Sequence, residues 1–451
     1  MTSSLKKLAI KGTAWTFIGY GGSQFLRFGG NLILTRLLVP EFFGLMALVN
    51  TFRQGLELFS DIGIGQNIIR SERGDEPVFL NTAWSISILR GLFLWIAFIL
   101  FAWPVSLFYE EPLLFKVLIV ISVVTLLRGL VSIKVYTLNR HMLLGKVTMF
   151  ELSTQIVALA TMIIFAWINP SVWALVTGAI VSQSFRTIAS YFMFPGHQHQ
   201  FSIQLEARKE IVSFGRWIFL SSIIMFLAEQ SDRIILGKLI PLEVLGVYSI
   251  AYMFANIPQQ VMKQMSNKVI FPAISRQIDL PRKQLRKKLK RQVWKLHMVL
   301  IAIFLVLAGF GDIVINILYD SRYEQAAWMM PLLALGSWFS ALFLIANPCL
   351  LALGKSFYSA QSRIFRLVFV TLGLILGFRV AGILGSIVVI TLADLPSYLV
   401  IQHGLYKEGL NYFWQDIKST LILIALIGLV FLFRLSVGLG LPFDALPTFN
   451  F

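Results

Sequence analysis

Apolar stretches long enough to cross a lipid bilayer recur along nearly the whole of this 451-residue chain. A transmembrane helix needs about 20 mostly apolar residues and satisfies its own backbone hydrogen bonds where no water is present. We count about thirteen such stretches between polar breaks. They lie near 12–37, 42–64, 81–104, 113–135, 148–168, 172–194, 213–237, 243–265, 294–318, 327–351, 363–379, 382–403 and 417–437. Because 57% of the residues are hydrophobic and only 14% are charged, the sequence predicts an all-α polytopic membrane protein.

The turn between the first two predicted spans returns later in the chain. Residues 33–44 read ILTRLLVPEFFG, and residues 235–246, at an offset of 202 positions, read ILGKLIPLEVLG. The two segments align without a gap and share a Glu and a Gly as well as apolar residues. At the same offset Trp15 aligns with Trp217. We interpret the match as an internal duplication.

The duplication predicts the domain organisation. Each copy contains six spans, and an even number returns the chain to the same side of the membrane. The two copies therefore insert with the same orientation, around a pseudo-two-fold axis normal to the membrane, and enclose a central cavity. We expect an N-terminal six-helix lobe at 1–205, a C-terminal six-helix lobe at 206–405, and an extra C-terminal helix with a tail at 406–451.

The distribution of basic residues predicts the orientation. With the N-terminus in the cytoplasm, most Lys and Arg residues fall on inner loops, as the positive-inside rule requires. The longest predicted loop, about 266–293, is cytoplasmic and contains the run RKQLRKKLKR at 282–291. This run is typical of an orientation signal that lies on anionic membrane lipid. A partner protein is an alternative, but nucleic acid is not expected because no aromatic residue interrupts the run.

Polar side chains recur at helical spacing inside several spans. A charge there costs at least about 2.5–3.5 kcal/mol and normally faces a cavity or a partner. Arginine stays charged at any working pH and binds phosphate oxygens with two donors at once. The predicted substrate-binding residues are Arg27, Asn31, Arg53, Arg128, Arg186 and Arg233. The predicted ion-coupling residues, whose carboxylates can bind H⁺ or Na⁺, are Asp61, Glu229, Asp232 and Asp394.

Two interpretations of these charges remain open. In the repeat alignment Arg27 aligns with Glu229, and Asp61 aligns with Lys263. Symmetry-related positions therefore carry charges of opposite sign, which could pair across the cavity. Alternatively, Arg53 and Glu57, four residues apart, form an intrahelical ion pair whose only role is to lower the free-energy cost of burying charged side chains.

No pattern in the sequence predicts catalysis. The chain has one cysteine and scattered histidines, and it lacks a glycine-rich phosphate loop and a nucleophile elbow. We therefore expect neither an enzyme nor a cofactor, a metal site or catalytic residues. A membrane glycosyltransferase or polysaccharide ligase is the alternative of another class, but such an enzyme needs a catalytic acid or base on an extended loop.

The chain up to about residue 405 resembles the Wzx-type polysaccharide and O-antigen repeat-unit flippases. These are the polysaccharide exporters of the multidrug/oligosaccharidyl-lipid/polysaccharide superfamily. The resemblance rests on LTRLLVPEFFG at 34–44, DIGIG at 61–65 and DRIILGKLIPLEVLGVYSIA at 232–251. It implies two six-helix lobes around a central cavity and a location in the bacterial cytoplasmic (inner) membrane.

The resemblance also implies a function. A flippase of this kind moves polyprenyl-diphosphate-linked oligosaccharide repeat units to the outer leaflet by alternating access, driven by an ion gradient or the membrane potential. The product is lipopolysaccharide, exopolysaccharide or capsule, and a polysaccharide polymerase and chain-length proteins are the implied partners. A multidrug or peptidoglycan-precursor exporter of the same superfamily is the alternative.

Overall fold

The computed structural model describes residues 3–192, 198–444 and 446, with the backbone alone at 3–13 and 213–221. The described residues form helices and connecting turns, which confirms the predicted all-α class. The chain divides into two compact units, the N-terminal unit Met1–Phe226 and the C-terminal unit Leu227–Phe451. The lobe boundaries expected from the duplication stay a prediction.

The helices of the N-terminal unit follow the predicted spans. Those that the structure describes are α1 (Ser3–Leu37), α2 (Pro40–Leu58), α3 (Ile64–Arg70), α4 (Pro77–Tyr109), α5 (Pro112–Gly129), α6 (Lys134–Arg140), α7 (Leu144–Ile168) and α8 (Val172–Phe192). Helix α9 (Leu205–Leu239) continues from this unit into the next. Helix α4 packs along α5, and α7 packs between α1 and α8.

The remaining helices belong to the C-terminal unit. They are α10 (Leu242–Ala255), α11 (Ile257–Met265), α12 (Phe271–Ser275), α13 (Arg282–Leu318), α14 (Gln325–Ala352), α15 (Ser356–Leu392), α16 (Leu395–Lys407) and α17 (Phe413–Val437). A π-helical turn joins α11 to α12. Helix α15 breaks at Ala381 and Gly382, where the predicted spans 363–379 and 382–403 separate.

The repeated turn has the same local structure in both copies. In the first copy Pro40 begins α2 and Glu41 lies in its first turn. In the second copy Pro241 precedes α10 and Glu243 lies in its first turn. Proline is preorganised for the first turn of a helix, and an acidic side chain there is stabilised by the helix dipole. The shared Glu is thus explained by its place at a helix start.

The helices are long and apolar enough for a multi-pass membrane protein. Among the described residues, seven helical segments meet both conditions. They are Pro77–Tyr109, Pro112–Gly129, Leu144–Ile168, Arg282–Leu318, Gln325–Ala352, Ser356–Lys407 and Phe413–Val437. The other predicted spans are also helical at their centres, although α2 and α10 end early and are followed by the short helices α3 and α11.

The basic run at 282–291 is helical, so the prediction of one long loop over 266–293 was wrong. Helix α13 begins at Arg282, and the side chains of Leu285, Leu289 and Val293 are buried in the core of the C-terminal unit. Their spacing of four residues places them on one face of the helix, while most of the basic residues lie on the exposed face. Apolar burial on one face therefore extends the helix through the charged run.

Helix α17 packs against α13 and is held at both ends. Near its start, the Asp416 carboxylate accepts hydrogen bonds from Tyr398 Oη at 2.7 Å and from Gln402 Nε2 at 2.6 Å. Near its end, buried Arg434 forms a two-pronged ion pair with Asp312 of α13. The extra C-terminal helix is thus an integral part of the core of its unit.

Candidate functional site

A cavity of about 520 Å³ lies inside the N-terminal unit. Five helices, α2 to α6, contribute residues to its wall. Its polar lining includes Gln54, Glu57, Asp61, Arg90, Arg128, Tyr136 and Asn139. We call this space, lined by Glu57, Asp61, Arg90 and Arg128, the arginine cavity.

Two interruptions of the helices border the cavity. Helix α2 ends at Leu58, and the chain turns through Gly63, whose φ of 64° suits glycine, before α3 begins. Helix α5 ends at Gly129 and is followed by α6 from Lys134. Leu58 and Gly129, at the ends of α2 and α5, both line the cavity.

A close contact between α4 and α5 sets the positions of two of the arginines. A Cβ atom built on Gly91 would lie 2.8 Å from the Cα atom of Gly129, so the two backbones touch where both residues lack a side chain. Arg90 and Arg128 immediately precede these glycines in sequence. The glycine contact therefore brings both arginines to the same level of the cavity wall.

Glu57 joins two of the predicted arginines. Its Oε1 atom accepts a hydrogen bond from Arg53 Nη1 at 2.9 Å, and its Oε2 atom accepts one from Arg128 Nη1 on another helix. The Glu57 side chain is only 13% exposed, whereas the Arg128 side chain is 56% exposed. The intrahelical Arg53–Glu57 pair thus exists, but it is one half of a bridge that also includes α5.

Arg90 is a functional candidate that the sequence analysis missed. Its Nη2 atom donates to the Glu57 backbone oxygen at 2.6 Å, and its Nε atom donates to Ser60 Oγ at 3.0 Å. A lone arginine in the apolar stretch 81–104 was a sufficient signal, because the same reasoning selected Arg128. Three guanidinium groups therefore meet around one glutamate.

Asp61 is the predicted coupling residue that lines the arginine cavity. Its Oδ1 atom accepts a hydrogen bond from the Gly63 backbone nitrogen at 2.9 Å, which stabilises the turn between α2 and α3. Together with Glu57 it opposes the charges of Arg53, Arg90 and Arg128. With Arg53, which lies next to the wall and not in it, three guanidinium groups outnumber two carboxylates, and this balance favours an anionic occupant.

The other predicted residues of this unit lie outside the cavity wall. Arg186 on α8 lies 4.0 Å from a carboxylate oxygen of Glu151 on α7, and its guanidinium lies 5.4 Å from the centre of the Phe150 ring. On α1, the Arg27 guanidinium lies 5.8 Å from the centre of the Phe28 ring, and Asn31 is half-buried. The structure brings Arg53 and Arg128 together but not these three.

Two predicted acidic residues of the C-terminal unit are paired with arginines there. Glu229 lies 3.3 Å from Arg363 Nη1 and 3.8 Å from Lys263 Nζ. Asp394 accepts a hydrogen bond from Arg366 Nε at 2.8 Å. Both carboxylates therefore have cationic partners within their own unit.

The remaining two predicted residues lie near aromatic rings. Buried Asp232 accepts a hydrogen bond from Tyr248 Oη at 2.7 Å. The Arg233 guanidinium donates to Gln230 Oε1 at 3.0 Å and lies 5.3 Å from the centre of the Tyr252 ring. These contacts leave Arg233 partly engaged by a neutral amide and a ring face, without a direct carboxylate partner among the described contacts.

The arginine cavity suits phosphate binding. A guanidinium carries five N–H donors in a plane, and two such groups can surround a phosphate oxyanion with charge-assisted hydrogen bonds. The wall supplies the guanidinium groups of Arg90 and Arg128, and Arg53 adds a third next to the wall through its ion pair with Glu57, so the arrangement can hold an anion.

The sequence matches the model of one protein family, described as polysaccharide biosynthesis protein, over residues 33–328. Among characterised relatives, the chain is 20% identical to teichuronic acid biosynthesis protein TuaB of Bacillus subtilis, over 83% of this chain and 78% of that protein. It is 22% identical to lipopolysaccharide biosynthesis protein WzxC of Escherichia coli, over 85% of this chain and 77% of that protein. The family match covers well over half of the chain.

Solved structures with the same fold include two kinds of transporter. The lipid II flippase MurJ, in an inward closed conformation, superposes with a TM-score of 0.68 at 15% identity, covering 95% of this chain and 98% of the other. A multidrug resistance transporter of the MATE family, in an inward-facing conformation, superposes with a TM-score of 0.58 at 15% identity, covering 89% and 95% of the two chains. The two-lobe fold that the sequence predicts is thereby confirmed.

Proposed function

Because the chain belongs to the polysaccharide biosynthesis protein family, we propose that it is a flippase for lipid-linked saccharides. Its substrate is a polyprenyl-diphosphate-linked oligosaccharide repeat unit, which it moves across the bacterial cytoplasmic membrane by alternating access. The product serves lipopolysaccharide, exopolysaccharide or capsule synthesis. The names of the relatives, which are biosynthesis proteins for teichuronic acid and lipopolysaccharide, support this class of substrate.

The arginine cavity is the observation that carries the proposal. A diphosphate crossing the hydrocarbon core must exchange its hydration shell for other donors, since a bare charge there costs tens of kcal/mol on idealised Born grounds. Arg53, Arg90 and Arg128 supply such donors next to one another. An organic cation, the usual cargo of a multidrug exporter, would meet three guanidinium groups in or next to the cavity and only two carboxylates, those of Glu57 and Asp61.

Other predicted residues complete the proposed pathway. Arg27, Asn31, Arg186 and Arg233 serve as further contacts for the diphosphate and the saccharide as the carrier changes conformation. Asp61, Glu229, Asp232 and Asp394 couple the cycle to H⁺ or Na⁺ or to the membrane potential. Asp61 is favoured for coupling because, unlike the other three, it borders the arginine cavity.

The proposal is tested by removing two arginines of the cavity. A strain that lacks this protein is complemented with the wild type or with an Arg90→Gln, Arg128→Gln double variant, and both surface polysaccharide and the membrane-bound lipid-linked intermediate are measured. We expect the surface product to fall by about tenfold or more, because hydrogen bonds to charged groups contribute about 1.5–3 kcal/mol each. The lipid-linked intermediate should accumulate.

The matched control is Arg322→Gln. Arg322 is an arginine whose ion pair with Asp320 lies in a connection outside the cavity. It should leave the surface product unchanged. Wild-type surface product from the double variant at normal abundance would contradict the proposal.

A further inference from the structure

Glu57 is placed differently from a residue that only neutralises a neighbour on its own helix. An intrahelical pair with Arg53 needs one carboxylate oxygen, and the second oxygen is bound by Arg128, which comes from α5. The backbone oxygen of the same residue accepts from Arg90. Glu57 therefore contacts the guanidinium groups of Arg53, Arg90 and Arg128.

The bridge lies at the wall of a cavity rather than in a sealed core. Glu57 and Arg128 both line the arginine cavity, and more than half of the Arg128 side chain is exposed. A carboxylate that bridges two guanidinium groups occupies the same donors that a phosphate oxyanion would use. An incoming phosphate must therefore compete with Glu57 for Arg53 and Arg128.

We propose that Glu57 is an internal counter-anion, which holds the arginines while the cavity is empty and exchanges with the diphosphate during transport. The inference rests on the proposed function and concerns the regulation of the same site. Diphosphate displaces Glu57 because it brings more than one negative charge to the arginines, whereas a carboxylate brings one. On release, Glu57 returns to Arg53 and Arg128 and helps to expel the diphosphate.

The proposed exchange also predicts that abundant phospholipids are weak ligands of the cavity. A phosphodiester head group carries a single negative charge, so it gains little by replacing another single charge that is already in place. Without Glu57 the guanidinium groups would lack this competitor, and any anionic head group could occupy them. The counter-anion thus sets a minimum charge for an effective ligand.

Binding and transport should change in opposite directions when the carboxylate is removed. The probe is geranylgeranyl diphosphate, titrated into the purified full-length protein in a nonionic detergent at fixed salt. We expect Glu57→Gln to bind the probe about tenfold more tightly than the wild type, because no internal anion competes for the arginines. In the complemented strain the same variant should make less surface polysaccharide, since release of the diphosphate is slowed.

Phosphatidylglycerol provides a second readout. We expect its addition to weaken probe binding by Glu57→Gln and to affect the wild type much less. The control variant is Glu76→Gln, because Glu76 pairs with Arg73 in the same unit but outside the cavity wall. Glu57→Asp is a more conservative variant, because it keeps the carboxylate on a side chain one methylene shorter. Its affinity for geranylgeranyl diphosphate should fall between those of the wild type and Glu57→Gln.

The outcomes distinguish a failure of this inference from a failure of the proposed flippase function. If the wild type binds geranylgeranyl diphosphate but neither Glu57 variant binds it more tightly, Glu57 is only a structural link between α2 and α5 and the inference is overturned alone. If the wild type binds no diphosphate probe, both the inference and the proposed flippase function are overturned. Tighter binding together with lower transport supports the exchange.

Discussion

Arg434 shows how an ionic group is accommodated in the apolar core of the C-terminal unit. Its side chain is 1% exposed, and its Nη1 and Nη2 atoms lie 2.7 Å and 2.6 Å from the two carboxylate oxygens of Asp312. Arg434 also donates to the backbone oxygens of Gly309 and Gly440. The pair links α17 to α13, and either partner alone would be an isolated buried charge.

This pair gives a prediction at the residue scale. Arg434→Leu should destabilise the protein by about 3–5 kcal/mol, because it leaves the Asp312 carboxylate buried without its guanidinium. The double variant Asp312→Leu, Arg434→Leu should recover a large part of that loss, since two apolar side chains replace both charges. Thermal unfolding of the purified protein in detergent measures both effects. Equal melting temperatures for the single variant and the wild type would contradict the prediction.

At the residue scale, the sequence predicts which charged residues belong to the site better than it predicts which side chains they contact. The rule that an intramembrane charge is functional or paired led to Arg53 and Arg128, and it applies equally to Arg90, which was overlooked. The partners depend on contacts between helices, so the Glu57–Arg128 bridge, 71 positions apart in sequence, could not be deduced from spacing. The assignment of these residues to substrate binding and ion coupling stays a prediction.

At the scale of elements, glycines determine how closely helices approach. Gly19 and Gly30 of α1 face Thr148 and Leu159 of α7, where an added Cβ atom would lie within 2.6 Å of the opposing side chain. These two glycines therefore allow α1 to pack closely against α7. Gly21 and Gly29 of the same helix have no atom within 4 Å of an added Cβ. Composition alone cannot distinguish the two faces of a helix.

Gly129 gives a prediction at this scale. A Cβ atom there would lie 2.7 Å from the Gly91 Cα atom and 2.8 Å from the Ser87 backbone oxygen, so Gly129→Ala must push α4 and α5 apart. We expect a loss of stability of about 1–3 kcal/mol and a lower yield of surface polysaccharide, because Arg90 and Arg128 move with their helices. Gly428→Ala on α17 is the control, since nothing lies within 4 Å of its added Cβ atom. Similar melting temperatures for the two variants would refute the role of this contact.

Helix interruptions were the least predictable feature of the elements. Hydropathy reports an average over many residues, so it located the spans but not the end of α2 at Leu58 or the gap after Gly129. Those ends depend on single backbone conformations such as the positive φ of Gly63. The arginine cavity is bordered by these interruptions, which is why its lining could not be derived from the span assignment.

For the molecule as a whole, the duplication accounts for twelve predicted spans but not for α17. The match to the flippase and MATE folds, at 15% identity, shows that this architecture survives when little sequence is shared. Helix α17 lies outside the repeat, and it is still buried along α13 through Leu423 and Ile427. The sequence predicted the helix but gave no reason to expect that the core of the C-terminal unit depends on it.

Truncation provides the test at the scale of the molecule. A chain that ends at Asn411 should be found at several-fold lower abundance in membranes, because it exposes the face of α13 and leaves Asp312 and Trp338 without Arg434 and Thr420. A chain that ends at Leu446 retains these contacts and should accumulate normally. Immunoblotting of membrane fractions measures the difference, and equal amounts of both truncated chains would show that α17 is dispensable for the core.

The contact between Asp312 and Arg434 also has an evolutionary consequence. A change of either residue alone passes through a protein with an isolated buried charge, so selection should remove such intermediates in most lineages. In an alignment of many relatives, we expect the two positions to covary: acid and base retained together, or both replaced by apolar residues. Divergent descendants would thus preserve a record of how α17 was joined to an ancestral duplicated bundle.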